Sequence, residues 1–233
     1  MNEGAGEFRF MPYYPILVDL KGKDVLVVGG GSVAQRKIKT LLEYGAVVNV
    51  VSRQLTPELN RYLEDGKIKF LGEEFTESYL NDVFMVIAST DDASLNHRIS
   101  QEASKKGLLI NAVDQPPDCN FIVPAILRRG DLLIAVSTSG KSPALAKKIR
   151  KDLEDQFGPE YGTLLVIMGN LRKEVLSKGL SQDENSRIFH DIVDSPILEA
   201  IRKEDWNEVA SILTEKTPFQ LSSEDVANYL KTE

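Results

Sequence analysis

The sequence predicts an α/β protein: a Rossmann-type doubly wound parallel sheet, followed by a dimerisation hairpin and a small helical C-terminal domain. Three observations carry this. Short, uniformly apolar runs alternate with helical stripes as far as LLINAV at 108–113. The first run, VLVV at 25–28, stops on Gly29-Gly30-Gly31 and then turns amphipathic. Beyond Pro143 the signals are helical only.

The elements follow in chain order. VLVV is β-branched-rich and apolar throughout, as a strand covered on both faces requires. Ala34, Ile38, Leu41 and Leu42 recur at helical spacing, and Gly45 supplies a stop. AVVNVV at 46–51 reads as a second strand; Thr56-Pro57 then reads as an N-cap with proline at the first helical position. KIKFL (67–71) and VFMVIA (83–88) are the third and fourth strands. A helix carrying Leu95, Ile99 and Ala103 separates them from LLINAV. Strands alternating with helices imply βαβ crossovers and a parallel sheet.

Pro116-Pro117 ends that alternation, because two prolines forbid both a helix interior and a central strand. NFIVPAIL (120–127) and DLLIAVS (131–137) flank Arg128-Arg129-Gly130 as a hairpin, which needs cover and reads as an arm pairing with a partner chain. Leu145, Ile149 and Leu153 then share a helix face, LLVIM (164–168) lies in a longer helix, and two or three short helices complete the chain. The expected domains are 1–115, the dinucleotide-binding Rossmann domain; 116–142, the dimerisation region; and 143–233, the helical domain.

Composition narrows the function classes. At 233 residues and 42% hydrophobic content, the chain can bury a full domain plus a smaller attachment. No apolar run approaches the ~18 residues of a membrane span, and MNEGAGEFRF lacks the basic-then-apolar form of a signal peptide, so the expected compartment is cytoplasmic. Cys119 is the single cysteine, which excludes an internal disulfide and a Cys-rich zinc site, and no His/Cys/carboxylate cluster has metal-ligand spacing. A net charge of −7 argues against a general nucleic-acid binder. Charge is nevertheless uneven: between 126 and 151 Arg128, Arg129, Lys141, Lys147, Lys148, Arg150 and Lys151 face only Asp131, either a solvated face or an anion-binding surface.

Gly29-x-Gly31-x-x-Ala34 matches the G-x-G-x-x-G/A dinucleotide fingerprint. Gly29 makes the turn, Gly31 lets backbone approach a pyrophosphate, and the N–H groups of Ser32 and Val33 point at the phosphates from a helix N-terminus. The alternative is a purely structural corner. The Asp or Glu expected after the second strand, for the adenosine ribose, is replaced by Ser52-Arg53-Gln54; Ser-Arg could receive a 2′-phosphate, which suggests NADP, or Arg53 is merely a surface residue. Ser89, Thr90 and Asp91 follow the fourth strand, and Asn111 and Asp114 end the fifth, at the carboxyl edge where such sheets bind ligands. Asp114 is either a carboxylate fixed near the nicotinamide or a turn residue bonding local N–H groups. His97, His190 and Cys119 read as surface or packing residues.

Taken together, YYPILVDLKGKDVLVVGGGSVAQRK, ASTDDASLNHRIS, INAVDQPPDCNFIVPA and AVSTSGKSPALAKKIR resemble the precorrin-2 dehydrogenase family of sirohaem biosynthesis, some of whose members are also sirohydrochlorin ferrochelatases. The resemblance spans roughly residues 12–155. It implies a homodimer that passes a hydride from precorrin-2 to NAD, giving sirohydrochlorin, with Fe²⁺ a substrate of the bifunctional members. The family's N-x-V-D-x-P segment matches Asn111 to Pro116 and implies Asp114 as general base. Its NAD contacts map to Ser32, Val33, Arg53 and Gln54, and since members with a neutral residue near Ser52 use NAD, the resemblance weighs against NADP. Its polycarboxylate substrate gives Arg128, Ser137, Thr138, Lys141, Lys147 and Lys148 a purpose as carboxylate-binding groups.

A second function class is a nucleotide-sensing Rossmann regulatory module without catalysis. Such modules generally need the acid missing after the second strand, and they have no use for Asn111-Ala112-Val113-Asp114-Gln115-Pro116-Pro117.

Overall fold

The computed structural model describes residues 13–231; the MNEGAGEFRF segment lies outside them. The chain divides into two compact units between Val123 and Pro124.

The first unit is a five-stranded parallel sheet in the order β3-β2-β1-β4-β5. The strands are β1 (Asp24–Val28), β2 (Val47–Val51), β3 (Ile68–Gly72), β4 (Met85–Ala88) and β5 (Leu109–Ala112). Because β1 and β4 are covered on both faces, their residues bury without alternation, and Val25, Leu26, Val27, Val86 and Ala88 are inaccessible to solvent. Val25 and Val27 pack with Ala34, Ile38 and Leu41 of α1 (Ser32–Glu43) and Leu59 of α2 (Pro57–Glu64). Leu26 and Val28 point the other way, to Ile99 and Ala103 of α3 (Ala93–Lys105) and to Leu80 of a 3₁₀ turn at Glu77–Leu80. Thr56 caps α2 as its sequence predicts, its hydroxyl accepting from Leu59 N–H at 3.3 Å.

The second unit opens with β6 (Ala125–Arg129) and β7 (Leu132–Val136), an antiparallel pair, followed by α4 (Pro143–Gln156). Five helices then share one core: α5 (Glu160–Ser177), α6 (Gln182–Val193), α7 (Ile197–Arg202), α8 (Trp206–Lys216) and α9 (Ser223–Tyr229). Ile167, Leu171, Val175, Ile192, Ile197, Val209, Leu213 and Val226 are fully enclosed there. Among the described residues no helix is long and apolar enough to cross a membrane.

The structure corrects three expectations. Arg128 and Arg129 lie inside β6, and the hairpin turns at Gly130-Asp131, where Gly130 takes φ +56°. The pairing begins at Ala125 because Pro124 has no N–H to give a ladder. The segment at 120–123 belongs to the first unit instead: Asn120 lies along the edge of β5, its side chain accepting from Ile110 N–H and donating to the Leu108 carbonyl, both at 2.8 Å. The compact first unit therefore runs past residue 115, and the hairpin shares a unit with the helices. Finally, among the described residues the tail holds four helices after α5 rather than two or three.

Candidate dinucleotide site

The glycine turn meets its neighbours at the carboxyl edge of β1, β2 and β4. Gly29 adopts φ +119° and lies so close to Ser89 that a Cβ would stand 2.5 Å from its carbonyl oxygen. Gly30 is pressed against the loop after β2, where a Cβ would meet the Gln54 carbonyl oxygen at 2.2 Å and Ser52 Oγ at 2.6 Å. Around Gly31 there is nothing among the described residues within 4 Å of a would-be Cβ. The first two glycines are therefore structural, whereas the third faces open space at the helix entrance.

That entrance is a row of donors. Gly31 is the N-cap of α1 and offers no side-chain cap, and the first helical bond runs from Gln35 N–H to the Gly31 carbonyl at 2.9 Å. The N–H groups of Ser32, Val33 and Ala34 are left without helical partners, as the first turn of any helix leaves them. With no acidic residue in that turn, the positive end of the helix dipole stands uncompensated. A dinucleotide's pyrophosphate fits this cradle: open space, free N–H donors and a favourable dipole.

Beyond β2, the Ser52 hydroxyl donates to the Gln54 carbonyl at 2.7 Å, so the loop is tied to itself. Arg53 reaches across to Glu74 after β3, Nη2 to Oε1 at 2.9 Å, with both side chains about three-quarters exposed. Ser52, Arg53, Gln54, Leu55, Asn60, Leu63 and Phe70 line a depression of ≈ 250 Å³ beside the glycine turn. After β4, the Thr90 hydroxyl is paired with Asn96 Oδ1 at 2.7 Å and Asn96 is buried, which holds the loop through exposed Asp91 to the α3 N-cap Asp92.

The end of β5 is built differently. Asp114 is exposed, its backbone is left-handed at φ +60°, and its carboxylate accepts no hydrogen bond among the described residues. A turn residue bonding local N–H groups would show such bonds; here the backbone closes the turn alone, Gln115 N–H to the Ala112 carbonyl at 3.3 Å. Cys119 lies beneath, its sulfur accepting from Ala112 N–H at 3.2 Å, and burial pushes its thiol up, away from the reactive thiolate. Gln115 donates to the Ala93 carbonyl at 3.1 Å, while its Oε1 is buried without a partner among the described residues. His97 holds the same loop from α3, Nδ1 to Asp118 Oδ1 at 2.7 Å.

One residue absent from the sequence-based set stands in this site. Lys37 of α1 donates to Asn111 Oδ1 at 3.1 Å. In the sequence it sits between Arg36 and Lys39 and reads as a solvated helix charge; only the fold brings it to β5.

The remaining sequence-predicted residues belong to the second unit. Ser137 Oγ accepts from Ser139 N–H and Thr138 Oγ1 from Ser142 N–H, both at 3.1 Å, in a turn where Ser139 and Gly140 have φ +52° and +78°. Both hydroxyl protons remain available to an acceptor. Lys141 and Lys147 are exposed on and beside α4; Lys148 is paired with Asp152 at 2.8 Å, and Arg128 Nε donates to the Gly130 carbonyl at 3.0 Å.

A parallel sheet in this order, with a glycine turn feeding a helix N-terminus at its carboxyl edge, defines an NAD(P)-binding Rossmann protein. A family model described as putative NAD(P)-binding matches residues 16–125, and one described as the central part of sirohaem biosynthesis proteins matches 129–156. The siroheme synthase of Photorhabdus laumondii is 44% identical over 165 residues, 71% of this chain and 35% of that protein. Siroheme synthase 1 of Serratia proteamaculans is 44% identical over 179 residues, 77% of this chain and 38% of that one. The chain thus spans little more than a third of these relatives' length. The solved structure of SirC, a precorrin-2 dehydrogenase, superposes with a TM-score of 0.74 at 28% identity, covering 89% of this chain and 100% of that one. In sequence and in fold the chain thus resembles the siroheme synthases and the precorrin-2 dehydrogenase SirC.

Proposed function

We propose that the protein is an NAD-dependent oxidoreductase that oxidises precorrin-2 to sirohydrochlorin in sirohaem biosynthesis. The observation that carries the reading is Asp114: an exposed carboxylate, free of hydrogen bonds among the described residues and held in a left-handed turn at the carboxyl end of β5. The likeness to siroheme synthases and to the precorrin-2 dehydrogenase SirC supports the substrate.

NAD, when bound, supplies the hydride acceptor. Ser32 and Val33 N–H groups hold its pyrophosphate, Gly29 makes the turn and Gly31 gives the phosphates room, and the loop of Ser52, Arg53 and Gln54 receives the adenosine ribose, with Thr90 and Asp91 forming the wall after β4. Asn111 shapes the nicotinamide end. Asp114 takes the macrocycle proton that leaves as hydride departs, the role of a general base. Arg128, Lys141, Lys147, Lys148 and the hydroxyls of Ser137 and Thr138 bind the substrate's carboxylates through charge-assisted hydrogen bonds. Where Fe²⁺ is inserted, it is a substrate, and Asp114 is the base available for the pyrrole N–H protons.

We further propose a homodimer built on the second unit. Leu145 and Ile149 of α4, 49% and 36% exposed, form an apolar face that this unit leaves uncovered, and Ala146 alone of that helix is buried. A second copy of the same face is the natural cover.

Purified protein given precorrin-2 and NAD without metal should convert it to sirohydrochlorin, followed by absorption; no NAD-dependent change refutes the reading. Fe²⁺ added afterwards tests insertion against a protein-free control.

A further inference from the structure

Lys37 is half-buried on α1, one turn beyond the phosphate-facing N-terminus. Its Nζ donates to Asn111 Oδ1 at 3.1 Å, and Asn111 Nδ2 in turn donates to the Phe121 carbonyl at 3.3 Å and towards Cys119 Sγ at 3.6 Å. An ammonium has donors only, so it admits the Asn111 amide in one orientation; flipped, two donors would face each other. Cys119 continues the chain, its sulfur lying 3.2 Å from the Ala112 nitrogen and carbonyl oxygen and 3.4 Å from the Gln115 carbonyl, on both sides of Asp114. One unbroken set of polar contacts thus joins the helix that faces the phosphates to the loop that carries the carboxylate.

The electrostatics run along the same path. Burial lowers the Lys37 affinity for its proton, and Arg36 on the same helix adds to that; Cys119 and Asp114 on the opposing loop pull it back up.

We infer that Lys37 is a positioning residue for the oxidation: its ammonium fixes the Asn111 amide and ties the Asp114 loop to the phosphate-binding helix. This rests on the reading of Asp114 as the base.

The test compares Lys37→Met, which keeps the length and loses the charge, with Lys37→Arg. In the Met variant kcat should fall about tenfold, while the NAD dissociation constant stays within about twofold. Lys37→Arg, which keeps a donor for Asn111, should restore most of the lost kcat. An unchanged kcat in the Met variant, or a loss that Arg does not restore, overturns the inference. A second measurement needs no activity: the Lys37 ¹³Cε resonance of labelled protein should titrate below the other lysines, and lower still in Asp114→Asn. Absence of that coupling also overturns it, whereas coupling in a protein inactive towards precorrin-2 would refute the proposed reaction and leave the Lys37–Asp114 pair standing.

Discussion

Arg53, at the end of β2, donates to Glu74, beyond β3, at 2.9 Å, and so this cation near the expected ribose position is already paired with a carboxylate. The sequence around Ser52 suggests a 2′-phosphate receptor or a surface arginine; the fold brings a carboxylate to Arg53 from 21 residues downstream. A 2′-phosphate placed there would meet Glu74 as well as Arg53. The protein should therefore prefer NAD to NADP, and Glu74→Gln should narrow that preference by about three- to tenfold, a modest change because both groups are exposed and screened. Titration calorimetry with the two cofactors measures it, and an unchanged ratio removes Glu74 from the selection.

Asp114 pairs a functional expectation with a backbone constraint. Left-handed backbone costs most residues about 1–2 kcal/mol, and Asn and Asp least among those with a side chain. At φ +60°, Asp114→Asn should preserve the turn, while Asp114→Ala should also cost about 1 kcal/mol of stability. Both variants should lose roughly 10²–10⁴-fold in the rate of precorrin-2 oxidation with NAD binding retained. Thermal melts beside the assay separate the two effects; full activity in Asp114→Asn rejects the base.

How much of this was legible in advance depended on whether the signal was local. VLVV at 25–28 and MVIA at 85–88 announce buried strands because both faces are covered and every residue must be apolar. Thr56-Pro57 announces a helix start because capping is decided within four residues. The hairpin was misplaced because its register depends on Pro124 lacking an N–H and on Asn120 pairing with β5, neither visible in the alternation of NFIVPAIL. Lys37 and Glu74 were hidden for the same reason: each acts on a residue of another element, 74 and 21 positions away. Leu145 and Ile149 were correctly placed on one face, yet that face is not buried within the unit.

In the helical unit, Glu160 is 6% exposed and receives the Arg202 guanidinium at 2.7 Å. Burial alone would raise its carboxyl, but Arg202 and the N–H groups of Glu160 and Gly158 hold it below the ordinary value of 4.5. Its contribution is therefore fully present above that value and is lost as pH falls through the lowered one. Arg202→Met should strand a buried carboxylate, lower the melting temperature by several degrees at neutral pH and flatten its decline on acidification. Melts from pH 3 to 7 check this; parallel curves for the two proteins would show that the pair is unimportant.

The glycine turn offers a sharper contrast, because adjacent glycines have opposite surroundings. A Cβ on Gly30 would collide with the Gln54 carbonyl at 2.2 Å and Ser52 Oγ at 2.6 Å, so Gly30→Ala must push β1 and the loop after β2 apart. A Cβ on Gly31 meets nothing within 4 Å, and its φ of −78° suits any residue. Gly31→Ala should therefore fold with an unchanged melting temperature, yet its methyl group would occupy the space through which a pyrophosphate approaches Ser32 and Val33. The expected result is a loss of at least tenfold in NAD affinity by calorimetry in Gly31→Ala without loss of stability, against a lowered melting temperature in Gly30→Ala. Undiminished NAD binding by Gly31→Ala would mean that the phosphates lie elsewhere and that the turn is only a corner.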